Sequence, residues 1–266
     1  MTGINQLRGG RKGLIVQARD REVLSQLSLM RMADRDQLMI AAGFHSITRI
    51  NARLLALYRS GLLRRFFIGF GAGRKAIYAL SPKGATLIGV PCRGPRRRQN
   101  ELLAADFSTL HQLAVNNVYC NLRFGPKPPY IRFVNWVSFT EPVDRDRRLI
   151  PDGYVELKTP GDLDCAFLEI DLGTEELRVW KEKARQYLRF AASGEFSLRF
   201  REPRFRVLVL ANSARRIKFI RAAVAEITPK IFWFAVLDET RGEHFFDSVW
   251  LRPTGDNHQS LFEQPR

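Results

Sequence analysis

Hydrophobic positions recur with two different periods along the 266-residue chain, and the change near residue 100 divides it. After Asp20, placed to cap, Val23, Leu24, Leu27 and Met30 fall at helical spacing, which predicts a helix over "REVLSQLSLMRM". A second short helix is expected in "ADRDQLMIAAGF", started by Asp34 or Asp36 and ended by Gly43. A third is expected in "ITRINARLLALYRSG", capped by Ser46 and closed by Gly61. "LLRRFFIGF" and "RKAIYALS", either side of a Gly-Ala-Gly turn, read as a β-hairpin, and "PKGATLIGV" as a last short helix. Beyond residue 100 the pattern becomes that of a covered sheet. A helix from about Asn100 to Leu122 precedes three strands, "YIRFVNWVSFT", "LIPDGYVELKT" and "DCAFLEIDLGT". A helix over Glu175 to Ala192, strand "RFRVLVLANS", helix "ARRIKFIRAAVAEI", strand "KIFWFAVLD" and a final strand "FFDSVWLRP" follow. Such an order implies a mixed sheet with helices on it, an α/β domain.

Three short helices and a hairpin are the order of a winged helix-turn-helix, and "RLLALYRSGLLRR…GRKAIYALSPKGATLI" resembles winged-helix regulators over about residues 20–90. That resemblance implies a third helix in the DNA major groove and a hairpin touching backbone or minor groove. Helical phasing puts Ile47, Ile50, Leu54, Leu57 and Tyr58 on the core side of the third helix. Thr48, Arg49, Ala52, Arg53 and Arg59 fall on the other side. Thr48, Arg49 and Arg53 are therefore the candidate DNA contacts of the helix, and Arg74 and Lys75 those of the hairpin tip.

Charge sharpens this division. Residues 1–100 hold 19 Lys/Arg against 4 Asp/Glu, whereas residues 101–266 hold 24 against 23, so nearly all of the net +16 belongs to the first part. A polyanion held by that part is implied, with double-stranded DNA foremost. An anionic membrane fits poorly, because no basic amphipathic helix stands out and no apolar run is long enough to span. "PCRGPRRRQ" breaks any period and reads as a linker whose Arg96, Arg97 and Arg98 could follow phosphates. The organisation expected is a flexible basic arm (1–19), a winged helix (20–90), a basic linker (91–99), an α/β domain (100–252) and a tail (253–266). Three scattered cysteines fit neither a disulfide framework nor a zinc site, and no secretion signal is visible, so the cytoplasm is the expected compartment.

Carboxylates carry the candidate chemistry of the second part. Asp152 follows Pro151 early in the second strand, and Glu169 and Asp171 lie two apart at the end of the third, hence on one face. Oxygen ligands from two adjacent strands suit Mg²⁺ or Mn²⁺, and such an ion can activate water against a phosphodiester. A nearby lysine would stabilise the charge growing on phosphate. Lys181 and Lys183 both flank the buried stripe expected of the helix (Leu177, Trp180, Ala184, Leu188, Ala191), and the i+4 relation to Tyr187 favours Lys183. There is no Walker loop, and no tyrosine lies near a histidine cluster of the kind that attacks DNA covalently.

"LIPDGYVEL" followed by "FLEIDLG" resembles the PD-(D/E)XK superfamily, restriction-endonuclease-like folds with an αβββαβ core. Pro151-Asp152 and Glu169 match its motif, while the motif lysine position holds Asp171. The resemblance implies catalysis by Asp152, Glu169, Asp171 and a lysine supplied by the next helix. A closer likeness covers about residues 20–240. "HQLAVNNVY", "PDGYVEL", "EIDLGTEEL", "KARQY" and "VLVLANSARR" resemble the replication-relaxation family of bacterial plasmids and mobile elements, where Glu-x-Asp is usual. It marks the position of His111, which its apolar-rich helix otherwise reads as a packed residue; on the same helix Asn116 or Asn117 is placed to face the carboxylates. The likeness implies nicking or processing of DNA without fixing the reaction, and leaves a homodimer and replication or mobilisation partner proteins as open expectations. The alternative is a non-catalytic winged-helix regulator or replication accessory whose nuclease-like domain serves interaction.

Overall fold

The computed structural model describes residues 14–69, 73–95 and 107–262, and the chain divides into two compact units, Met1–Ala104 and Ala105–Arg266. In the first, α1 (Ala18–Met30) buries Val23, Leu24, Leu27 and Met30 as its periodicity predicts. Asp20 does not precede this helix. It sits in the first turn, fully buried, and its carboxylate accepts the Gln17 N–H at 2.6 Å. The second helix is started by Asp34, one of its two expected starts. Ala33–Asp34 forms a short strand, β1, and α2 (Arg35–Ala41) follows, capped by Asp34, whose Oδ1 accepts the Gln37 N–H at 2.9 Å. α3 (Ile47–Arg59) is capped by Ser46 and buries Ile50, Leu54 and Leu57. Ile47, assigned to the core by phasing, is instead 51% exposed, because it lies in the first turn at the edge of the buried stripe.

β2 (Leu63–Ile68) and β3 (Lys75–Leu80) pair antiparallel from Leu63↔Leu80 to Ile68↔Lys75, and β1 adds on the far side of β3. α4 (Pro82–Ile88) closes this unit through a polar knot. Ser81 Oγ donates to the Gly61 carbonyl at 2.6 Å and accepts the Gly84 N–H at 2.9 Å. The Ser-Pro-Lys-Gly spacing follows from this knot, since a Cβ on Gly84 would stand 2.2 Å from the Leu62 carbonyl oxygen.

The second unit is built on one five-stranded sheet in the order β4 (Arg132–Val137), β5 (Gly153–Lys158), β6 (Leu163–Asp171), β7 (Arg206–Ala211), β8 (Phe232–Val236). The first three strands run antiparallel, and β6, β7 and β8 run parallel. Helices α6 (Leu177–Ala192) and α8 (Ala214–Ala225) make the two parallel crossovers and pack together over a core that includes Phe167, Val207, Val209 and Phe234. The alternate positions Leu168, Ile170, Leu208 and Leu210 are buried as well, and α5 (Phe107–Phe124) packs on β4 and β6. The α/β class expected from the element order is observed.

Two elements differ from expectation. A one-turn helix, α7 (Glu195–Phe200), interrupts the run from α6 to β7, and its Phe196 ring stacks on Phe200 at 5.0 Å and meets Phe205 at 4.6 Å. Six residues are too few for a periodicity signal. No strand spans "FFDSVWLRP". Residues Gly242–Phe246 form a 3₁₀ turn, and only single bridges, Phe234↔Leu251 and Trp250↔Gln259, join the sheet side. Phe245, Phe246 and Trp250 are apolar because they seal this end of the unit, together with Leu261 and Phe262 from the expected tail.

Candidate functional site

Three backbone features bring the acidic cluster together. Pro151-Asp152-Gly153 enters β5 under Trp136, and a Cβ on Gly153 would lie 2.5 Å from that indole, so only glycine lets the two strands close. Asp152 is thereby set against the middle of the neighbouring strand end, where its Oδ2 accepts the Ile170 N–H at 2.7 Å. His111 of α5 completes this corner: its Nε2 lies 3.1 Å from Asp152 Oδ2 and 3.0 Å from the Ile170 carbonyl oxygen. Both neighbours are acceptors there, so Nε2 carries the hydrogen. Burial lowers the His111 pKa, but the hydrogen bond and charge of Asp152 outweigh it, and the net shift is upward.

Glu169 is 1% exposed, with Oε1 accepting the Tyr187 hydroxyl at 2.6 Å and Oε2 accepting Lys183 Nζ at 2.9 Å. Burial, aided by the nearby Asp152 charge, raises its pKa to about 7, against the pull of Lys183 and of both hydrogen bonds. Lys183 also donates to Glu175 Oε1 at 2.8 Å and lies 4.9 Å from the Trp180 ring centroid. Burial works against its charge, but Glu169, Glu175 and Asp152 together hold its pKa above the ordinary value.

Helical position explains which lysine arrives. The buried stripe of α6 is Trp180, Ala184, Tyr187 and Phe190, rotated from the expected one, and Leu177 is 37% exposed. Lys183 stands one turn from both Trp180 and Tyr187 and so reaches inward. Lys181 points elsewhere and pairs with Glu226 at 2.6 Å.

Asp171 shares the strand face of Glu169 but has a different fate. Its Oδ1 accepts the Gly173 N–H at 2.6 Å and Arg216 Nε at 2.9 Å, and its Oδ2 accepts Trp180 Nε1 and an Arg216 terminal nitrogen, each at 2.7 Å. Burial alone would raise its pKa, yet the Arg216, Trp180 and Gly173 bonds hold it below the usual carboxylate range. A carboxylate offers about four lone-pair directions, and Asp171 uses all of them. Asp171, expected as a metal ligand, is held in this structure as an anchor for the β6–α6 connection, with both oxygens engaged.

The same count leaves Glu169 with two directions and Asp152 Oδ1 without any hydrogen bond among the described residues. No three His, Cys, Asp or Glu side chains form a preformed cage among those residues. Mg²⁺ commonly binds through one or two carboxylates, keeping waters and taking substrate phosphate oxygens, and Asp152 with Glu169 suits that mode. Sequence reasoning missed Glu175, whose buried Oε2 has no hydrogen bond among the described residues, and Arg216, although the acidic run "GTEEL" and the "SARR" helix start held both signals.

In the N-terminal unit the expected DNA contacts separate into two kinds. Thr48, Arg49 and Arg74 are exposed, and Arg49 forms no ion pair among the described residues. Arg53 is committed inward. Its guanidinium pairs with both oxygens of Asp20 and donates to the Ile15 carbonyl at 2.8 Å, which makes it a strut between α1 and α3. Lys75 is exposed but bound to Asp34 at 2.5 Å. Arg96, Arg97 and Arg98 lie outside the described residues. Beside α3, Arg19, Arg49, Phe44 and Ala52 line an open groove of about 780 Å³.

Among the described residues no helix is long and apolar enough to cross a membrane. No curated protein matches the chain significantly. The family model described as replication-relaxation matches residues 24–199, which takes in the three-helix segment, His111, Asp152, Glu169, Asp171 and Lys183. With well over half of its length matched, the chain belongs to the replication-relaxation family.

Proposed function

We propose that the protein binds duplex DNA of a plasmid or mobile element and nicks it with the help of Mg²⁺ or Mn²⁺. In this reading residues 20–90 are a winged helix-turn-helix, with α3 in the major groove and the β2–β3 hairpin as the wing. The unit from Ala105 is a PD-(D/E)XK-type domain, supported by its αβββαβ order and by three antiparallel strands followed by a parallel one. One observation carries the reading: Lys183 Nζ lies 2.9 Å from Glu169, so the helix supplies the cation that the strand position of Asp171 lacks.

The roles follow from chemistry. Asp152 and Glu169 would hold the divalent ion, which supplies polarisation of the phosphodiester when bound. Lys183 sits where an ammonium can move from its two carboxylates to a phosphate oxygen and stabilise charge there. His111 fixes Asp152, Tyr187 fixes Glu169, and the Asp171–Arg216 pair fixes the connection that carries Glu175. Replication proteins that act on the nicked strand are the partners this chemistry calls for.

Incubation of the full chain with supercoiled plasmid and Mg²⁺ or Mn²⁺ tests the proposal. Wild type should convert supercoiled DNA to nicked circles and Asp152→Ala/Glu169→Ala should not. Equal nicking by the double variant, or none by wild type with either metal, would refute it. A second reading, a DNA-binding accessory with an inert nuclease-like domain, draws on Asp171 standing at the motif position of the lysine and bound there by Arg216. Duplex binding without nicking would favour it.

A further inference from the structure

The outer surface of α3 holds an arrangement that the positioning of arginines does not explain. Asn51 is exposed and its amide makes no hydrogen bond among the described residues. It lies one helical turn from Ile47, which is 51% exposed, and from Thr48, while exposed Ala52 lies one turn from Thr48. An unused amide is thus set among three methyl-bearing side chains. Asn is a poor helix former and exposed Ile gains nothing from water, so neither residue is there for the stability of α3. The surroundings are basic: α3 carries no acidic residue, and Arg49 lies free on the adjoining flank.

In the DNA major groove an A·T pair offers two complementary features, the N6–H and N7 of adenine for a bidentate carboxamide and the C5 methyl of thymine for apolar contact. A G·C pair offers neither. We propose that α3 is a reader of A·T pairs, with Asn51 taking adenine and Ile47, Thr48 and Ala52 taking thymine methyls. Arg49 holds the helix on the backbone. The inference rests on the duplex binding proposed above and is independent of any cleavage.

Selection from a random pool of short duplexes by the full chain tests it, followed by titration of the winning site with two changes. The first is Asn51→Ala in the protein. The second replaces thymine by uracil in the DNA, which removes only the methyl group and needs no protein variant. We expect selected sites to hold a fixed adenine, and Asn51→Ala to lose about tenfold or more of its preference for it while binding unselected duplex as wild type does. Uracil substitution should weaken wild-type binding several-fold. An unchanged preference in Asn51→Ala, or selected sites in which G·C pairs are the fixed positions, would overturn the inference while leaving duplex binding intact. Failure of wild type to hold any duplex would overturn duplex binding itself, and the inference with it.

Discussion

Charged residues that look alike in the sequence separate by what they touch. Glu169 and Asp171 are both 1% exposed on one strand face, yet one keeps open lone pairs and the other spends all of its own on Arg216, Trp180 and Gly173. Arg216→Ala should therefore lower stability by about 3–5 kcal/mol, the usual cost of stranding one member of a buried pair, as read by denaturant unfolding. The pH sign follows from the depressed Asp171 pKa. Its stabilisation is present above the unfolded-state pKa and lost as pH falls through the folded one, so Arg216→Ala should also shrink the acid-induced loss of stability. Arg49 and Arg53 of α3 divide in the same way. Arg53→Ala should destabilise the N-terminal unit by about 3 kcal/mol by leaving Asp20 buried and unpaired. Arg49→Ala should leave stability within about 0.5 kcal/mol, while weakening binding to every duplex alike and lowering its salt slope by about 1 in a fluorescence titration.

At the scale of elements, sequence pattern located most helices and strands because their buried faces repeat. It mislaid those whose cause is tertiary. β1 is two residues long and exists only by pairing with β3, and α7 exists because Phe196 and Phe200 fill a gap beside Phe205. The apolar run near Phe245 packs as a plug, a role that alternation cannot distinguish from a strand. Lys183 was within reach of helical phasing, since its distance of one turn from Tyr187 already pointed inward. Arg53 was not, because its partner lies 33 positions away and both flanks of α3 read as surface. Glycine positions carry element-level information too. Gly84→Ala would drive a methyl into the Leu62 carbonyl and part α4 from the start of β2. A loss of about 1–3 kcal/mol in thermal or denaturant unfolding is expected.

For the whole molecule, the proposed function divides the work: the basic first hundred residues would hold DNA, and the acid–lysine cluster of the second unit would act on it. Membership of the replication-relaxation family suggests a role in plasmid or mobile-element replication. In the proposed function Lys183, delivered from α6, does the work of a lysine absent from the strand. Nicking of supercoiled plasmid by Lys183→Gln, measured beside Lys181→Gln and wild type at equal Mg²⁺, examines that role. Lys183→Gln should lose about 100-fold or more of the nicking rate, while Lys181→Gln should retain it. Equal loss or equal retention by the two variants, or absence of nicking by wild type, would contradict it.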